Sequence, residues 1–204
     1  MNQNATPPEH DPEAIRRGRL KAGALFAIAF TPILLATLMF YTGWGIPAST
    51  TNKGELLEGN PQVTETALLG SEGEGLAARF LPENQDAKWW ILVVADQCQE
   101  ACQEWLYMTR QVHILLNRDA DRVQRAFYAA NPDVLDRDTH PLIEIFQSEE
   151  GRAVTLPNGQ APSDGPFVFI VDPMGNMVLR YDDRHTADDV LDDIEHLLDT
   201  SPLG

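Results

Sequence analysis

No charged residue stands between Lys21 and Lys53. The strongly apolar part of that stretch, Ala22 to about Trp44, is long enough to cross a hydrocarbon core of about 30 Å as a helix. Such a helix spans a membrane on its own and leaves the rest of the chain to fold in water. Arg16, Arg17, Arg19 and Lys21 precede it directly. Basic flanks stay in the cytoplasm, so the N-terminus is expected there and the remainder outside. Tyr41 and Trp44 are expected at the far interface, where amphipathic rings settle. The rival is a cleaved signal peptide, whose apolar region runs only about 7–15 residues and ends in a small-residue site. The stretch "IPAST" offers a weak site of that kind, but the run is longer and keeps bulky residues to its end. Pro32 lies mid-span, where neighbours can satisfy the carbonyl it frees.

The expected organisation has four parts: a disordered cytoplasmic tail (1–14), a transmembrane helix with its basic flank (15–46), a linker and lead-in (47–80), and one folded domain (81–204). Three acids and four bases lie before Lys53, so the part from Lys53 on holds 28 acids and 11 bases and a net charge of −17. So acidic a surface excludes nucleic acid as a partner, since phosphate binding needs a basic one.

Within the folded part, "KWWILVVAD" reads as a buried central strand. From Gln99 to Leu116, Ala101, Trp105, Met108, Val112 and Leu115 recur at helical spacing and predict one apolar face. "DRVQRAFYAAN" alternates as a second strand, with Val123, Arg125 and Phe127 on one side. "HPLIEIFQ" fits a short helix or strand. "PFVFIVD", "PMGN" and "MVLRY" read as strand, turn and strand. Thr186 caps a last helix whose stripe is Val190, Leu191, Ile194, Leu197 and Leu198. This order suits an α/β sheet with helices on both faces. It is also the order of a thioredoxin-like fold.

The only two cysteines, Cys98 and Cys102, stand in "DQCQEAC" directly after the central strand. They are expected at the start of the following helix, about 6 Å apart between Cα atoms and able to close a disulfide. The helix N-terminus favours a thiolate on Cys98, while Asp96 and Glu100 oppose it. A structural disulfide closing so short a loop constrains the unfolded chain little. That favours a pair that opens and closes, with Cys98 attacking and Cys102 resolving. Two thiolates also begin a site for copper(I), which needs a third soft donor. The histidines give no convincing one: His10 is in the tail, His113 about 16 Å along the same helix, His140 in the irregular segment, and His185 and His196 on expected surfaces. Pro166 precedes "FVFIVD". It is expected either as a cis proline facing the cysteines or as an ordinary trans proline opening an edge strand.

The anchor, the strand, CxxxC, the helix and the late "FIVDPMGN" hairpin together resemble the Sco family, membrane-anchored copper proteins of cytochrome c oxidase assembly. The resemblance covers roughly residues 88–198. It implies a thioredoxin-like fold and copper held by two cysteines and one histidine. It places Asp164 where that histidine belongs, and Gln103 follows the second cysteine where the family usually has proline. "NKGELL", "RQVHILLNRDADRVQR" and "HLLDTSPLG" look more like a Sco-like subgroup without the copper histidine, found beside oxidase genes in proteobacteria. The resemblance therefore implies a single-pass protein of the bacterial inner membrane with its domain in the periplasm. Its partners would be oxidase subunits or other assembly factors. Three roles stay open: thiol–disulfide exchange with the cysteines of the oxidase copper subunit, copper(I) delivery, or non-catalytic assembly.

Overall fold

The structure of the chain, a computed structural model, describes residues 12–42, 51–80 and 87–201. His10, Trp44, "IPAST" and most of the expected N-terminal tail lie outside the described residues. The chain divides into two compact units, Met1–Thr50 and Thr51–Gly204.

In the first unit, Pro12–Thr42 forms one helix, α1, with Pro32 inside it. Ile15–Thr42 is long and apolar enough to cross a membrane and is buried nowhere along its length. Leu25, Phe26, Ile28 and Phe40 all face outward. Beyond its basic first turns this helix is apolar on every side, which makes it a candidate membrane span. Thr37 and Thr42 return their hydroxyls to the carbonyls of Ile33 and Leu38, 2.8 and 2.7 Å away, so neither brings an unpaired polar group to the span.

Among its described residues the second unit has eight strands and two α-helices: β1 (Glu55–Leu56), β2 (Leu68–Leu69), β3 (Trp89–Val94), α2 (Glu100–Leu115), β4 (Val123–Tyr128), β5 (Ile143–Ile145), β6 (Gln147–Ser148), β7 (Phe167–Val171), β8 (Met177–Tyr181) and α3 (Ala187–Thr200). The main sheet has the order β1-β8-β7-β3-β4-β5, and β2 pairs with β6 separately. β3 runs parallel to β4 and antiparallel to β7, with Leu92 opposite both Ala126 and Phe169. All six residues of β3 are buried, as a continuous apolar run in a central strand requires.

Alternation sends Trp89, Ile91 and Val93 to one face and Trp90, Leu92 and Val94 to the other. Both α-helices pack on the first face, where Trp105, Leu106 and Val112 meet Val190, Ile194 and Leu198. The second face is closed without any α-helix. Leu57, Val63, Leu68, Leu76 and Phe80 cover it together with Phe146, Val154 and Leu156. Residues 51–80, expected as linker and lead-in, are thus part of the folded unit. Their backbone is tied down by Leu57 N–H to Val178 O at 3.0 Å and Val63 N–H to Gly175 O at 2.9 Å. The expected pair of helical faces becomes one helical face and one closed by 3-10 turns and short strands.

One local reading moves and one open alternative is decided. The buried side of α2 is Cys102, Trp105, Leu106, Thr109 and Val112. Ala101 is exposed and so is Leu115, at 59%. The period was right and the stripe lies one position round the helix, with Cys102 as its first apolar member. "HPLIEIFQ" is strand, supplying β5 and β6. Elsewhere local chemistry agrees with expectation. Thr186 caps α3 in a reciprocal box with Asp189. In the β7–β8 turn Asp172 Oδ1 accepts from the N–H groups of Met174 and Asn176. Gly175 there has φ +88° and Phe80 close against it, which an L side chain would not tolerate.

Candidate active site

β3 ends at Val94, and the chain leaves it along a seam of backbone bonds. Ala95 donates to Tyr128 O, Ala130 donates to Asp96 O, and Asp96 donates to Pro162 O, each at 3.0 Å. Residue 96 is thereby stitched on one side to the loop after β4 and on the other to the 3-10 turn Pro162–Asp164. The cysteines follow this pinned point at the carboxyl end of a central strand.

Cys98 and Cys102 are joined in a disulfide with Cα atoms 5.0 Å apart. Cys98, expected at the start of the helix, stands two residues before it, just after the bend at Asp96–Gln97. Gln99 is the N-cap, extended at φ −90° and ψ −167°, and its side chain makes no capping bond. Cys102 is the third residue of α2. The two sulfurs therefore differ in setting: Cys98 is half-buried, while Cys102 is 2% exposed within the helical-face core. The first-turn N–H groups of α2, which have no partner within the helix, lie at the Cys98 end. A negative sulfur there is favoured by them and by the helix dipole. Asp96, Glu100 and Glu104 share the same cleft and act against it.

That cleft, about 650 Å³, is walled by Asp96–Gln97 and the start of α2 on one side and by Pro162, Ser163, Gly165 and Pro166 on the other. Pro166 therefore stands in the cysteine cleft. Among the described residues no peptide bond is cis, so the Gly165–Pro166 bond is trans. The edge-strand alternative also needs correction, because β7 lies between β8 and β3 inside the sheet. Proline is tolerated there because it precedes the first ladder residue, Phe167. Asp164, exposed at the same wall, turns its Oδ2 back to accept the Ala161 N–H at 2.8 Å.

The described histidines stand in separate places. His113 Nε2 lies 3.1 and 3.0 Å from the carbonyls of Ala120 and Val123. His140 is buried, with Nδ1 unpartnered among the described residues. Burial first, then Arg125 and Arg110, hold its pKa below the usual histidine value, against the opposing pull of Asp136. His196 is exposed on α3. His185, expected on the surface, is half-buried with Nδ1 2.9 Å from Asp182 Oδ1. It lines a second cleft of about 490 Å³ that shares Ala101, Glu104, Gly165 and Pro166 with the first. Among the described residues no three His, Cys, Asp or Glu side chains are grouped to hold a metal ion. For copper(I) the two sulfurs are bonded to each other, and among the described residues no third donor is grouped with them. These residues do not fit a copper site in this state.

Glu104 and Pro162 were not singled out from sequence, and of the Pro162–Gly165 wall only Asp164 was, through the resemblance. The turn composition of "PSDGP" marks a loop, but its contact with Asp96, 66 positions earlier, has no local signature.

A family model described as transmembrane-like, thioredoxin-like, C-terminal domain matches residues 89–201, and one described as transmembrane-like, N-terminal domain matches residues 12–43. No curated protein matches the sequence. Similar solved structures include apo Sco1 from Thermus thermophilus, at 19% identity and a TM-score of 0.48, covering 74% of this chain and 99% of that one. Arabidopsis thaliana ScoI with copper bound gives 16% identity and 0.46, covering 72% and 99%. A thio-disulfide isomerase from Thermus thermophilus gives 18% and 0.42, covering 74% and 98%.

Proposed function

This chain belongs to the family that joins a transmembrane-like N-terminal domain to a thioredoxin-like C-terminal domain, and from that premise we propose that it is a membrane-tethered thiol–disulfide protein serving cytochrome c oxidase maturation. The observation that carries the reading is the unequal exposure of the two cysteines: Cys98 half-exposed just before α2, Cys102 buried in its first turn. Such a pair has a defined order of attack.

In the reduced protein the Cys98 thiolate attacks one sulfur of a client disulfide. A Cys98–client bond forms and the client's other sulfur leaves as a thiolate. The Cys102 thiolate then attacks Cys98 Sγ, the mixed disulfide breaks, and the client departs with both thiols. Two electrons pass to the client, and Cys98–Cys102 is left oxidised, the state found in this structure. A dithiol donor outside the cytoplasm returns the pair to the reduced form by the same steps in reverse. Burial shields the Cys102 thiol from stray disulfides, and its Cα, 5.0 Å from that of Cys98, keeps it in place as the resolving partner.

The oxidase setting rests on the sequence resemblance to the Sco family, and the client sulfurs in this reading are those of the oxidase copper subunit. The basic flank before α1 supports an N-terminus in the cytoplasm and a domain in the bacterial periplasm. Asp164 in place of the copper-binding histidine supports membership of the subgroup without that ligand.

The test is trapping in membranes. With Cys102→Ser, Cys98 should retain its client as a mixed disulfide that a reductant releases. With Cys98→Ser no adduct should form. Equal trapping by both single variants, or by neither, overturns the assigned order. Copper(I) titration of the reduced protein addresses the copper-delivery alternative: one tight equivalent lost in either Cys→Ser variant would reinstate it.

A further inference from the structure

The two clefts form one groove, and its charge is one-sided. Cys102 of the disulfide lines one end. From there the wall carries Asp96, Glu100, Glu104 and Asp164. Among the described residues none of these four has an ion-pair partner, and no Lys or Arg lines either cleft. The one basic side chain there, His185, is already engaged with Asp182. The floor of the second cleft is apolar: Trp105 and Phe167 are almost wholly buried and Met108 half so. Gln160 also lines it, and its Oε1 has no donor among the described residues. A groove of this make-up accepts apolar side chains, one N–H donor and positive charge.

We infer that the groove running from Cys98–Cys102 to His185 binds an extended client segment in which basic residues flank the cysteine. The inference rests on the thiol–disulfide reading above and names its substrate class. Volumes of about 650 and 490 Å³ suit a few residues of extended polypeptide rather than a metal ion alone. A second copy of this chain is a poor occupant, since its domain carries the same strong negative charge and would be repelled. Complementary charge, by contrast, both steers the client cysteine to Cys98 and holds it there. Once a basic segment is docked, its cations also offset the acids that oppose a thiolate on Cys98, so binding favours exchange.

The test uses the full chain in detergent micelles with its disulfide intact. Three synthetic peptides share one cysteine and two leucines and carry lysines, serines or glutamates beside the cysteine. One peptide thiolate opens Cys98–Cys102 to a mixed disulfide with Cys98 and a second releases it as the peptide disulfide; the lysine peptide should do so about tenfold faster than the serine peptide at low salt, and the glutamate peptide should be slowest. The spread should shrink in about 1 M salt, where screening acts within about 3 Å. Glu100→Gln, Glu104→Gln and Asp164→Asn together should collapse it, while Asp192→Asn, an exposed acid on α3, should leave it unchanged. Equal rates for the three peptides in the unaltered protein overturn the inference. If neither the peptides nor dithiothreitol reduce the pair, the thiol–disulfide reading fails instead. Peptides with serine in place of cysteine then judge the groove alone by fluorescence anisotropy: preferential binding of the lysine peptide sustains it, and indifference to charge removes it.

Discussion

One face of the sheet is closed by two α-helices and the other by a chain that never forms a regular element longer than a few residues. On the first face α2 and α3 lay periodic stripes over Ile91, Val93, Phe127 and Ile170. On the second, 3-10 turns at Val63–Glu65 and Leu76–Phe80 bring single large side chains onto Trp90, Leu92 and Phe169. Helices bring their own hydrogen bonds to the core they cover. Irregular chain must borrow them, and it does so from the β8 edge and from residues 147–155. The first face should therefore hold as a unit with the sheet, and the second should open locally at lower free energy.

The largest effects come from core truncation. Phe127→Ala, on the helical face, should cost about 4 kcal/mol of global stability by denaturant unfolding. Phe146→Ala removes a comparable ring from the other face, and its loss should show first as faster hydrogen exchange in residues 55–80 while α2 and α3 stay protected. Simultaneous loss of protection on both faces would mean that the two are one cooperative unit.

Next comes the clamp that joins them. Asp193 of α3 is buried, and its carboxylate accepts from Lys53 N, Gly54 N and Tyr181 Oη at 2.8–3.0 Å. Asp193→Ala strands three donors, each worth about 1 kcal/mol or more when left unpaired, and should cost about 3 kcal/mol in total. Gly54→Ala attacks the same joint, because its Cβ would sit 2.6 Å from the buried Tyr181 ring. A loss of less than about 1 kcal/mol for Asp193→Ala would show that the lead-in is held by burial alone.

Thr186→Ala removes only the cap of α3 and should cost about 1 kcal/mol. The smallest effect is on pH. His140 is buried with its pKa depressed, mainly by that burial. The unfolded chain therefore takes up the proton first, at about pH 6.5. Stability is full above that pH and falls as the pH drops from there towards the folded-state value. His140→Leu should flatten that part of the stability profile; an unchanged slope would assign it to other groups.

Legibility divides along the same line. β3, β7, β8 and α3 could be read because a strand or helix repeats its burial every second or every third to fourth residue. Residues 51–80 could not be, because Leu57, Val63, Leu68, Leu76 and Phe80 follow no single period. The turns between them use backbone such as φ +51° at Asn60 and +63° at Ala67, which no local rule demands at those residues. At the site, the cysteine pair announced itself by position after a central strand, and Pro166 by its place before β7. The difference between Cys98 and Cys102 did not, since it depends on the helix starting two residues after Cys98 rather than at it. Asp164 was located by resemblance; its inward turn to cap Ala161 could be seen only in three dimensions.

The central claim is that the buried and half-exposed sulfurs form an exchangeable pair with Cys98 as the reacting partner. Time-resolved alkylation of the reduced full-length protein with iodoacetamide, read by peptide mass spectrometry, tests it most directly. The account predicts that Cys98 is modified at least about tenfold faster than Cys102, since reactivity follows thiolate character and exposure. Equal rates at the two cysteines, faster reaction at Cys102, or a disulfide that dithiothreitol leaves closed in the folded protein would contradict it.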